Sequence, residues 1–218
     1  LDALVNNAGV ATGFTYKGAD AMRDTLSCNF YGVEAVTRTL LPLIVDGGRI
    51  VMIGSGAGPS FVEKCSAERQ ALLTDPQVEF GSLKALCDEA QAVADQVDRG
   101  NEDADAAFAK IGLNSGAYGL SKACLAAYAM HVARSNTGLT VSTCSPGFIA
   151  TDMVKRIIGD KSPEQVGALP VDKGAYCPTF LVLGDVPSPR GEAWFFGSDA
   201  RRSPLHKYRS PNDPPYEP

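Results

Sequence analysis

Three short apolar runs in this chain each end in a turn of small or polar residues, and no other feature restricts the fold as much. Leu1-Asp-Ala-Leu-Val-Asn6 leads into Asn7-Ala-Gly9, Arg49-Ile-Val-Met-Ile53 into Gly54-Ser-Gly-Ala-Gly58, and Leu139-Thr-Val-Ser-Thr-Cys144 into Ser145-Pro-Gly147. Runs of this length, apolar or β-branched and closed by turn formers, read as strands buried on both faces. From Asp20 onward, Met22, Leu26, Phe30, Val33, Val36 and Leu40 recur near a 3.6-residue period until Pro42 and Gly47-Gly48, which predicts a helix joining the first two strands. Strand, helix and strand make a βαβ unit with a right-handed crossover. The alternation predicts an α/β fold, a doubly wound parallel sheet with helices on both faces. In such sheets a ligand sits outside the carboxyl ends of the strands, where all three turns fall.

A long stretch separates the second strand from the third. From Phe61 the composition turns charged and alanine-rich, and Leu83, Leu86, Cys87, Ala90, Val93, Ala94 and Val97 repeat at helical intervals, so residues 61–113 read as a helical insertion. Asp98, Glu102, Asp103 and Asp105 read as a solvated face rather than a metal site, because no other ligand types join them. A further helix carries Tyr118 and Lys122 and stops at Asn136-Thr-Gly138. Four residues apart, the two side chains share a face with Cβ atoms about 5–6 Å apart. An ammonium beside a phenol favours the phenolate and lowers its pKa from about 10, which makes the pair a candidate for proton transfer. The same spacing also describes an ordinary exposed helix face, so its weight comes from context.

Gly54-Ser-Gly-Ala-Gly58 follows a strand as a phosphate loop does, but Pro59 and Phe61 break the G-x-G-x-x-G spacing. Beyond Ser145-Pro-Gly147, residues 148–170 look mobile, residues 172–183 helical, and Glu192-Ala-Trp-Phe-Phe-Gly197 is a last strand. Residues 201–218 hold five of the chain's 14 prolines and read as an irregular tail. The organisation expected is therefore one domain over residues 1–200, with the insertion inside it and the tail outside it.

A net charge of −5 with no cluster of Lys and Arg argues against a nucleic-acid partner. No apolar run approaches the roughly 20 residues needed to span a bilayer. Cys28, Cys65, Cys87, Cys124, Cys144 and Cys177 are scattered without a C-x-x-C pair and the chain has 2 His, so neither a metal centre nor a disulfide framework is expected. Reduced thiols fit a cytoplasmic compartment. The chain opens without Met inside an apolar run, as a fragment would, which leaves room for an organelle-targeting segment ahead of it.

With these elements in place, five motifs in order resemble the short-chain dehydrogenase/reductase family: Asn6-Asn-Ala-Gly9, the helix-borne Asn29-Phe-Tyr-Gly32, the strand-end Ser55, Tyr118-Gly-Leu-Ser-Lys122, and Pro146-Gly147 with Thr151. The resemblance covers nearly the whole chain up to about Gly197. It implies a Rossmann-like fold, truncated at the amino terminus because the family's T-G-x-x-x-G-x-G turn and the strands that choose NADPH over NADH are not in this sequence. The long interval between Ser55 and Tyr118 is similar to the carbonyl-reductase branch, whose inserted helices imply a monomer.

By resemblance, the activity is NADPH-dependent reduction of aldehydes, ketones or quinones, with NADH left open. Ser55 would polarise the carbonyl oxygen, Tyr118 would deliver the proton, Lys122 would lower the Tyr118 pKa and hold the cofactor ribose, and Asn29 would support a water relay to Lys122. Asn7, Ala8, Gly9, Pro146, Gly147 and Thr151 would line the cofactor together with Tyr118 and Lys122. Two other readings share these motifs: an inactive scaffold that keeps the fold, and an NAD-dependent alcohol dehydrogenase.

Overall fold

Five strands build one sheet in the order β1 (Ala3–Asn6), β2 (Arg49–Ile53), β3 (Thr140–Cys144), β4 (Ala193–Phe196) and β5 (Arg202–Ser203) in the computed structural model, which describes residues 1–12, 15–100 and 102–217. The first four run parallel and β5 is antiparallel to β4. Asn6 pairs with Met52, Ile53 with Cys144, and Cys144 with Phe196. The carboxyl ends of these strands are therefore level, and the turns that follow them emerge along one edge of the sheet.

The period-2 alternation of a strand divides the core in two. Ile50 and Met52 of β2 face a large cluster with Met22, Leu26, Phe30, Leu83, Leu86 and Leu125. Val51 and Ile53 face the other way, toward Cys177, Leu181 and Phe196. The sheet is thus covered on both sides, as the α/β reading requires. No helix among the described residues is long and apolar enough to cross a membrane.

The crossover after β1 is one rod made of α1 (Ala19–Leu26), a π-helical turn (Ser27–Tyr31) and α2 (Gly32–Leu40). The wider turn slips the helical phase, so the buried stripe continues through Val33 and Thr37, while Val36, expected in the core, is 44% exposed. After β2 come α3 (Ala57–Val62), α4 (Ala67–Thr74), α5 (Phe80–Gly100) and α6 (Ala104–Lys110). Of these, α3, α4 and α5 pack on α7 (Ala117–Ser135), which is buried on nearly every side.

Small residues make this close packing possible. A Cβ built on Gly58 would lie 3.1 Å from the backbone of Lys122, and one on Gly119 would lie 2.9 Å from Phe61. The glycines of Gly54-Ser-Gly-Ala-Gly58 thus serve helix and strand contacts rather than a phosphate, since Gly54 also abuts Thr143 and the Cys144 carbonyl.

Asp98, Glu102, Asp103 and Asp105 are all exposed, as a solvated face requires. Two of them also bond locally: Asp98 accepts hydrogen bonds from the Ala19 amide (2.8 Å) and the Tyr16 hydroxyl (2.7 Å), and Asp103 caps α6 through the Ala106 amide. Two sequence expectations are corrected. Residues 148–170 contain α8 (Asp152–Ile158) and a 3-10 turn (Glu164–Val166), and they close on themselves where the Ala150 amide donates to Leu169 O and the Leu169 amide to Phe148 O. The tail supplies β5, and its Arg209 is buried. Two short helices, α9 (Val171–Gly174) and α10 (Tyr176–Leu183), precede β4.

Because the neighbour of Gly58 is the backbone of a buried helix, it has no room to retreat. Gly58→Val is expected to destabilise the protein by about 1–3 kcal/mol, read as a lower urea midpoint at unchanged slope.

Candidate active site

Each turn along the carboxyl edge is fixed by a different device. Asn6 donates through Nδ2 to Thr37 Oγ1 at 3.0 Å, which fastens the end of β1 to α2. Past Asn7 and Ala8, Gly9 passes directly over two polar side chains: a Cβ there would meet Asn29 Oδ1 at 3.3 Å and Lys122 Nζ at 3.5 Å. Gly147, at φ 99°, adopts a backbone conformation that glycine tolerates, and a Cβ would also press on Ser198 at 3.1 Å.

Asn29 sits in the π-helical turn, a distortion that recurs at functional sites. Its amide grips the backbone of Val10 on both sides, accepting from the Val10 N–H at 2.8 Å and donating to Val10 O at 2.9 Å, and it donates to Ser121 Oγ at 3.0 Å. It therefore ties the β1 turn to α7 while presenting Oδ1 beneath Gly9.

Lys122 is 5% exposed, and its ammonium donates to the carbonyl of Ile53 at 2.7 Å, at the end of β2. Burial lowers its pKa from 10.5 to about 8, opposed by the nearby thiols of Cys28 and Cys144. Tyr118 lies one turn earlier, with Lys122 Nζ 5.8 Å from its ring centroid. Burial raises the Tyr118 pKa, and a hydrogen bond with the Ser55 side chain opposes that rise. Desolvation of the phenolate is the largest influence on Tyr118, while the Lys122 ammonium, held by the Ile53 carbonyl, stands above its ring. Ser55 Oγ also accepts from the Ala57 amide at 3.2 Å, which sets its position at the start of α3.

A cavity of 780 Å³ runs along this edge. Every site residue expected from sequence lines it except Asn29, which lies beneath Gly9. Thr151 is at the amino end of α8, and its hydroxyl makes no capping hydrogen bond. A second cavity, of 380 Å³, meets the first at Ser55, Gly147 and Phe148 and is walled by Phe61, Lys64, Asn114 and Tyr208. Sequence reasoning missed Lys64 and Tyr208. No local sequence signal marks them, because the Tyr208 ring that fills the space beside Gly56 comes from the far end of the chain.

The arrangement places two hydroxyls and an ammonium on the wall of the larger cavity, and one of them, that of Ser55, borders the smaller cavity as well. The profile described as short chain dehydrogenase matches residues 1–67. Carbonyl reductase 1 of Bos taurus, whose name specifies NADPH, is 31% identical over 203 residues, which is 88% of this chain and 66% of the bovine protein. The chain belongs to the short-chain dehydrogenase/reductase family.

Two solved structures of similar shape are salutaridine reductase from Papaver somniferum and menthone neomenthol reductase from Mentha piperita. The first has a TM-score of 0.69 at 23% identity and covers 90% of this chain and 72% of its own. For the second the values are 0.60, 19%, 89% and 70%. At these identities the likeness is one of fold. The short-chain dehydrogenase/reductase fold described above is thus recovered independently by shape and by sequence.

The depressed Lys122 pKa has a thermodynamic signature. Between about pH 8 and 10.5 the folded chain has released this proton while the unfolded chain still holds it, so stability rises with pH across that window; below it the full cost of burying the ammonium is present. The unfolding free energy of wild type, measured against Lys122→Met at each pH, is expected to climb from pH 8 to pH 10.5. A constant difference would refute the buried-ammonium assignment.

Proposed function

We propose that this protein reduces the carbonyl group of aldehydes, ketones or quinones using NADPH, with Tyr118 as the proton donor. The observation that carries the reading is the convergence of Ser55, Tyr118 and Lys122 on the larger cavity, with Ser55 also bordering the smaller one. The larger cavity would hold a reduced nicotinamide, whose chemistry would be to supply a hydride to the carbonyl carbon. Gly9, with no side chain to occupy the space above Asn29 and Lys122, leaves the kind of backbone cradle such a group needs. Asn7, Ala8, Pro146, Gly147, Thr151 and Lys122 would hold it. NADPH rather than NADH follows the name of the bovine relative.

Addition of hydride leaves negative charge on the carbonyl oxygen, so a donor and a proton must stand there in advance. Ser55 donates to that oxygen, and Tyr118 transfers its phenolic proton to it, giving the alcohol. The upward shift of the Tyr118 pKa suits this direction, because the resting phenol is protonated at neutral pH.

The test is NADPH oxidation by the full-length gene product with menadione and with a small aldehyde. Tyr118→Phe is expected to lose roughly 10²–10⁴-fold in rate. An intact protein that neither turns over nor binds NADPH would favour the scaffold reading. We also expect a monomer, because α3, α4 and α5 cover α7; sedimentation at a dimer mass would count against it.

A further inference from the structure

Apart from Ser55 and Gly147, the smaller cavity is built from side chains that the reductase reading does not use. Three of its walls are aromatic: Phe61, Phe148 and Tyr208. Apart from the Tyr208 phenol, Lys64 is the one side chain lining it that titrates, and no carboxylate lines it or pairs with Lys64 among the described residues.

Tyr208 comes from the tail, and its position is set by the next residue. The Arg209 guanidinium is buried and donates to both carboxylate oxygens of Asp199, at 2.7 and 3.1 Å, and to the carbonyls of Asp213 (2.9 Å) and Pro214 (2.8 Å). This clamp folds residues 209–214 into a closed loop and lays the Tyr208 ring on Gly56. A Cβ on Gly56 would lie 2.6 Å from a carbon of that ring, so the glycine leaves space for the tyrosine. Gly56 adjoins Ser55, and the ring therefore walls the place where a carbonyl would be polarised.

We propose that this cavity selects the part of the substrate remote from the carbonyl, and that it takes an aromatic ring bearing a carboxylate, with Tyr208 as the wall against the ring and Lys64 as the counter-charge. The proposal rests on the reductase reading. An aromatic enclosure at the small end of the usual size range for ligand pockets has room for a single ring, and a lone cation at its margin favours an acid over its ester.

Two probes that differ in that charge test it: 4-carboxybenzaldehyde and its methyl ester, given to the full-length protein. Lys64→Gln is expected to lower the acid-to-ester ratio of kcat/KM by about fivefold, the effect of one partly exposed ion pair, and Lys64→Arg is expected to retain it. Tyr208→Ala is expected to raise KM for both aldehydes more than it lowers kcat. An unchanged ratio in Lys64→Gln overturns the charge assignment, and an unchanged KM in Tyr208→Ala overturns the wall. If wild type turns over neither aldehyde, the reductase reading fails, and binding of 4-(hydroxymethyl)benzoate by ligand-observed NMR decides the subsite separately. Weaker binding to Lys64→Gln supports it, and equal binding overturns it.

Discussion

The close approach of α3 to α7 is the constraint on which the site depends. A helix that carries a tyrosine and a lysine for chemistry must be held still, and α7 is held by being surrounded. Its own alanines and Gly119 let neighbours press against it, and Gly58 lets α3 sit on the backbone of Lys122 itself. Ser55 belongs to the turn that starts α3. The distance between the serine and the tyrosine is therefore set by helix packing, with no long loop between them.

Burial has a second effect, on charge. Lys122 is held by the Ile53 carbonyl at the end of a central strand, so the ammonium is tied to the sheet even though its chain comes from a helix. Desolvation moves the lysine down and the tyrosine up, so two groups that are nearly matched in water are driven apart in proton affinity, with the phenol the weaker acid. The low dielectric that strains the lysine also strengthens every hydrogen bond at the junction.

Much of this was legible in the sequence because it depends on local pattern. The strands at residues 49–53 and 140–144, the 118–135 helix and the alignment of three turns all follow from alternation, turn formers and helix stops. What escaped depends on partners far apart in the chain. The π-helical turn at 27–31 leaves no mark in a hydrophobic pattern, yet it moves Val36 out of the core. Asp98 reads as a surface charge and is one, but that it also accepts from the first amide of α1 could not be read from its neighbours in sequence. The tail reads as irregular by its prolines, and its order comes from one buried arginine whose partners no local rule could name. Gly54, Gly56 and Gly58 imitate a phosphate loop because glycine is selected for closeness to a neighbour, whatever that neighbour is.

The two margins of the sheet are unlike each other. Beyond β4, the chain doubles back as β5 and closes that side with its own residues. β1, at the other margin, is hydrogen-bonded to β2. At the β4 margin the pairing of Phe195 with Ser203 and of Phe196 with Arg202 occupies the ladder groups, and the same short tail that closes the sheet there also carries Tyr208 to Gly56, so one segment finishes the sheet and walls the site.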